Sequence, residues 1–125
     1  MGGTPSARLR LSRSNRLKKK GDFLRARARG QRVVCGCLIA NALPQTKSSI
    51  SRLGVVTSKH IGMAVVRVRA RRLLREVYRV HQYDLSQSVD LILVARSSIV
   101  GKVFADVERD FLRALRQLRL LRQAG

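Results

Sequence analysis

Apolar residues recur along the chain in helical and in strand-like patterns, and the alternation of the two predicts the elements. Between Ser58 and Arg79 they return every three or four residues. On a helical wheel with Arg67 at zero, Val66, Ala70, Leu73, Leu74 and Val77 share one arc from about 240° to 340°, a core-facing stripe. A second stripe of Val103, Phe104, Val107, Phe111, Leu115 and Leu118 predicts a closing helix over Val103 to Arg122. Asp106, Glu108 and Asp110 in its first half and Arg113, Arg116, Arg119 and Arg122 in its second complement the helix dipole. Asn15 to Gly30 reads as a shorter helix, capped at Ser14 or Asn15, anchored by Leu17 and Phe23 and stopped at Gly30.

Three β-prone runs complete the pattern. Arg32 to Leu43 is an apolar run closed by Pro44, and Arg52 to Thr57 is a second that leads straight into the Ser58-Lys59 turn and the first long helix. Asp90 to Ala95 is unbroken in its apolar character, as expected of a strand buried on both faces. It returns after a helical crossover, so these last two strands should be parallel neighbours. The expected fold is α+β: a single-domain α/β sandwich over residues 15–122, with a small central sheet and about three helices. Residues 1–14, rich in Gly, Ser and Arg, are expected to form a flexible basic arm.

Charge sharpens this picture. The 125 residues carry 27 Lys and Arg against 7 acids, a net charge of +20. Asp22 is the only acid before Glu76, so nearly all the excess lies ahead of that residue. Charge this lopsided implies a polyanionic partner. Nucleic acid is favoured over a membrane, since no apolar run approaches the roughly 20 residues of a spanning helix. The start lacks the apolar stretch of a signal peptide, and a cytoplasmic location is expected. Cys35 and Cys37, one residue apart, would share a face on a strand at a spacing awkward for a disulfide. A metal site there would need His60 and His81 as further ligands, and two small buried thiols are the simpler reading.

The charge is concentrated on one helical face. Arg67, Arg71, Arg75, Arg79 and Arg72 occupy the arc from about 0° to 140°, opposite the apolar stripe, and Glu76 lies beside that arc at about 180°. A merely solvated face normally interleaves both signs. This one is almost purely Arg, whose planar fork suits phosphate oxygens, and it carries an apolar residue, Val68, in its middle. The expectation is a surface for a phosphate backbone.

The run from Gly62 to Glu76, Gly-Met-Ala-Val-Val-Arg-Val-Arg-Ala-Arg-Arg-Leu-Leu-Arg-Glu, resembles the signature of the bacterial ribonuclease P protein subunit, Gly-Asn-Ala-Val-x-Arg-Asn-Arg-x-Lys-Arg-x-x-Arg-Glu. Met63 and Val68 stand where the family has Asn, and Arg71 where it has Lys. Arg16-Leu17-Lys18-Lys19 followed by Asp22-Phe23 also resembles the family's opening. The resemblance implies a ribosomal-protein-like fold with the rare left-handed βαβ crossover. It implies that Arg16, Lys18, Lys19, Lys59, Arg67, Arg69, Arg71, Arg72 and Arg75 bind RNA, and that Phe23, with Val34 and Cys37 on the first strand, lines a cleft for the leader of precursor tRNA. Arg27, Cys37 and Ala40 take positions where the family has aromatic rings, which shifts the expected balance from stacking to charge.

The resemblance further implies a protein that assists a catalytic RNA, with Mg²⁺ reaching the reaction through that RNA and no metal held by the protein's own side chains. The residues agree that the chain alone lacks nuclease chemistry: its seven acids are scattered, and Asp106, Glu108 and Asp110, at spacings of two, do not converge on one face of a helix. Two other functions compete. A ribosomal-type structural RNA-binding protein would share the composition but has no need of the ordered set Asp22-Phe23, a β segment, Ser58-Lys59 and Arg67 to Glu76. A DNA module with Val66 to Tyr78 in a major groove would want an Asn or Gln to read adenine, and that face has neither.

Overall fold

The computed structural model describes residues 16–17, 20–45 and 50–122; the expected arm at 1–14, together with Lys18 and Lys19, lies outside them. The described residues form three helices, α1 (Lys20–Arg29), α2 (Ala64–His81) and α3 (Phe104–Gln117), and four strands, β1 (Gln31–Cys35), β2 (Leu38–Pro44), β3 (Arg52–Val56) and β4 (Val89–Ala95). The sheet order is β1-β2-β4-β3, with β1–β2 and β2–β4 antiparallel and β3–β4 parallel. The α+β class and the parallel pair spanning α2 match the sequence expectation.

Alternation along the strands sorts the two faces. Cys35, Leu38, Ala40, Ala42, Leu53, Leu91 and Leu93 pack with Leu74, Val77, Phe111 and Leu115 of α2 and α3 into the main core. On the other face Ile92 packs with Leu17 and Ala26, flanked by Phe23, Leu43, Val56 and Val94, so α1 covers only part of the sheet. β4, central and fully buried through Val89 to Leu93, carries no polar position except Asp90.

Three boundaries differ from the expectation. The run Arg32 to Leu43 is not one strand but a hairpin, because Cys35 pairs with Leu38 across a turn at Gly36 and Cys37. Gly36 has φ 54°, the left-handed conformation that tight hairpins require and that glycine adopts freely. The first helix does not start at Asn15: Leu17 N–H donates to Leu53 O at 2.8 Å and Arg16 bridges Leu53 in parallel, so this piece is extended along the outer edge of β3. The last helix ends at Gln117, since Arg119 turns left-handed at φ 58° and Leu121 then pairs with Leu85.

The acidic trio of α3 does more than complement a dipole. Asp106 accepts the Val103 N–H at 3.1 Å and closes the helix start, and Asp110, 5% exposed, accepts the Cys37 N–H at 3.0 Å and so fastens the hairpin turn to α3. Glu108 lies 2.7 Å from His81 Nε2, whose Nδ1 lies 2.8 Å from Asp84, so the ring, when doubly protonated, ties the end of α2 to α3. Burial pulls the His81 pKa down, but the hydrogen bonds to Asp84 and Glu108 outweigh it and the net shift is upward from 6.5. A raised pKa in the folded state gives stability that is full below pH 6.5 and is lost as pH rises through the folded value. The thermal midpoint, followed by circular dichroism, should therefore fall as pH rises above 6.5, and His81→Phe should remove that dependence; an unchanged profile in the variant would assign the effect elsewhere.

Candidate nucleic-acid interface

The helix α2 is presented by a short 3-10 turn, Lys59–Ile61, that buries Ile61 and leaves Lys59 exposed at the head of the basic face. Four α2 residues are buried, Ala70, Leu74, Val77 and Tyr78. Tyr78 was not part of the expected stripe. At about 20° on the same wheel it carries the core into the edge of the basic arc, which leaves Arg67 and Arg71 half-buried and Arg72 and Arg75 exposed.

The five arginines of the arc are therefore not equivalent. Arg79 donates to both oxygens of Glu76, at 3.0 and 2.6 Å, and is neutralised within the helix. Arg71 donates to Thr57 Oγ1 at 2.8 Å, which steadies its guanidinium at the end of β3. Arg67 Nε is buried and has no hydrogen-bond partner among the described residues, a donor held out of water without an acceptor. Arg75 has its pKa lowered by partial desolvation and by the neighbouring charges of Arg16 and Arg71, three like charges crowded together. Arg69 stands apart: on the opposite flank of α2, it donates to the Lys102 carbonyl at 2.8 Å.

A cleft of about 170 Å³ opens at the outer edge of β3, lined by Arg16, Leu17, Phe23, Leu53, Gly54, Val55 and Arg75. It joins what the sequence treated as two surfaces, because Phe23 comes from α1 on one face of the sheet and Arg75 from α2 on the other. Gly54 makes the join possible: a Cβ there would lie 2.7 Å from the Phe23 ring. An ion network fixes α1 so that Phe23 arrives at this spot. Arg52 grips both oxygens of Asp90 at 2.8 Å and reaches Asp22 of α1 at 3.0 Å, and its hydrogen bond is the main reason that the Asp22 pKa is lowered.

Val34 faces the same side of the sheet as Phe23. It heads a row formed by the register Val34–Ile39–Val94–Val56, which crosses all four strands, about 14 Å from end to end at the usual strand spacing. Val34 is 44% exposed and its three neighbours are half-buried, so the row is an open apolar track beside α1. Cys37, expected on the same cleft, is not there. It sits in the hairpin turn, 1% exposed, facing Asp110 of α3 on the opposite side of the sheet, and burial pushes its pKa to about 12. Sequence reasoning placed Cys37 on the first strand because it did not see the turn. It also missed the Arg52–Asp90–Asp22 network, whose signal was a lone acid opening an otherwise apolar strand.

Residues 11–119 match the model of the family described as Ribonuclease P. The chain is 40% identical over 106 residues to the Ribonuclease P protein component of Gluconacetobacter diazotrophicus, covering 84% of this chain and 91% of that one. It is 32% identical over 110 residues to the Ribonuclease P protein component of Alkaliphilus oremlandii, covering 88% and 96%. Among solved structures, the RNase P protein of Staphylococcus aureus superposes with a TM-score of 0.78 at 25% identity, covering 86% of this chain and 97% of that one. The RNase P protein of Thermotoga maritima shares the fold with a TM-score of 0.73 at 23% identity, covering 82% and 96%.

Proposed function

The chain belongs to the ribonuclease P protein family, and from that premise we propose that its basic helix grips the enzyme's catalytic RNA while the β3-edge cleft and the apolar row receive the 5′ leader of precursor tRNA. As a ribonuclease P protein component it is part of an endoribonuclease that processes tRNA. The observation that carries the finer reading is the convergence of Arg16 and Arg75 with Phe23 on one cleft. A single strand entering there meets phosphate partners and one ring at once, a combination suited to unpaired RNA. Lys59, Arg67, Arg71 and Arg72 extend the phosphate-binding surface along α2.

Mg²⁺ enters this scheme through the RNA, and the protein supplies electrostatic and positional help in the cytoplasm. No described helix is long and apolar enough to cross a membrane. The test is reconstitution. With the catalytic RNA of the same host, the chain should promote 5′ leader removal from precursor tRNA at low Mg²⁺, and without that RNA it should leave the substrate uncut. Nuclease activity that persists after all RNA has been digested away would overturn the division of labour.

A second expected outcome concerns the cleft. Phe23→Ala removes no charge, yet it should narrow the difference in affinity between precursor and mature tRNA by about 5- to 100-fold, the equivalent of one lost stacking contact. A variant that keeps the full difference would exclude Phe23 from the leader path.

A further inference from the structure

On the flank of α2 away from the cleft lies a second concavity, of about 260 Å³, lined by Val66, Arg69, Ala70, Ile99, Val100 and Gly101. Its walls are aliphatic except for Arg69, whose guanidinium is held in place by the Lys102 carbonyl at 2.8 Å. Val100 is 50% exposed at its mouth. A concavity with aliphatic walls and one fixed cation, on a protein of net charge +20, suits a partner with apolar faces and anionic edges. The same charge repels a second copy of the chain and selects a polyanion.

We propose that this slot takes one unstacked nucleobase of the catalytic RNA, sandwiched between the Arg69 guanidinium and the aliphatic wall of Val66 and Val100. The inference rests on the reading of this chain as an RNA-binding subunit and deepens it. A base has the required form: flat apolar faces, polar edges that can stay in water, and a phosphate on either side. Arg guanidinium planes stack on bases, and a guanidinium already pinned by a main-chain carbonyl loses little freedom in doing so. Arg72, exposed one turn further along α2, is placed to meet the adjoining phosphate. Arg69 thus acts by stacking, whereas Arg67, Arg71 and Arg75 act by charge.

The test uses the full chain and the host's catalytic RNA, transcribed with 4-thiouridine or 6-thioguanosine in place of the ordinary base. Irradiation should crosslink a discrete nucleotide to the peptide that spans residues 97–103. Val100→Ser, which leaves the charge unchanged, should weaken RNA binding by about 5- to 10-fold with an unaltered salt slope, and Arg69→Lys should do the same while keeping its charge. The thermal midpoints of both variants, measured alongside, should stay near that of the unaltered chain, since both side chains lie at the surface. Crosslinks confined to the Arg67–Arg75 face, or both variants binding within about two-fold of the unaltered chain, would overturn the slot. Failure of the broader reading would look different: the unaltered chain would not promote 5′ leader removal with this RNA.

Discussion

Replacing Arg67, Arg71 and Arg75 together by Gln is expected to flatten the log-log salt dependence of binding to the catalytic RNA by about two to three units. Each phosphate contact contributes a slope of about 0.7 to 0.9, which near physiological salt is worth about 1 kcal/mol, so the triple variant should lose roughly 100-fold in affinity. Stability should move the other way or not at all. Arg75 is already crowded by Arg16 and Arg71 in the free protein, and removing mutually repelling charges relieves that strain. Loss of affinity with a constant or raised thermal midpoint is therefore the signature of a face built for a partner. An unchanged salt slope would remove α2 from the RNA interface.

Gly36→Ala is expected to remove a large part of this protein's stability. Two costs combine. The left-handed φ of 54° costs an L residue about 1 to 2 kcal/mol, and a Cβ there would lie 2.1 Å from Asp110 Oδ2. The carboxylate must move, which breaks its bond from the Cys37 N–H and leaves buried polar groups unpaired, for a further 1 to 3 kcal/mol or about that. A total of about 2 to 5 kcal/mol is a large part of the stability of a small domain and should lower the thermal midpoint by roughly 15 °C. The pair should also be non-additive: adding Asp110→Ala removes the clash, so the double variant should be less destabilised than the sum of the two single changes. Full additivity, measured by urea or thermal unfolding, would show that the turn does not press on Asp110.

These expectations also mark what the sequence revealed. The 3.6-residue period of Val66 to Val77 and the unbroken apolar run of β4 declared α2 and the buried central strand, because in both cases a single burial pattern dominates. The basic face was legible for the same reason, as charge has no other use at that density. The hairpin was not, because Cys37 is apolar enough to continue a strand pattern and only the φ of Gly36 reveals the turn. The three-dimensional partnerships were hidden too: Arg52 meets Asp90 and Asp22 only once β3 lies beside β4 and α1 folds over them. The cleft was anticipated at Phe23 but not as a meeting point with Arg75, since that depends on both helices reaching one sheet edge from opposite faces.

The sheet order has a consequence for how the chain acquires its shape. β4 lies between β2 and β3, yet it is the last strand to be made, so during synthesis the β1–β2 hairpin and β3 exist without the neighbour that joins them. The hairpin forms from adjacent residues, whereas the pairs Leu43–Asp90 and Val55–Leu93 close long stretches of chain and must await residues 89–95. By then most of the positive charge, 20 of the 27 Lys and Arg, has already been made. The nascent chain is for that interval a polycation without a finished core, and self-repulsion keeps its open strand edges from meeting those of another copy.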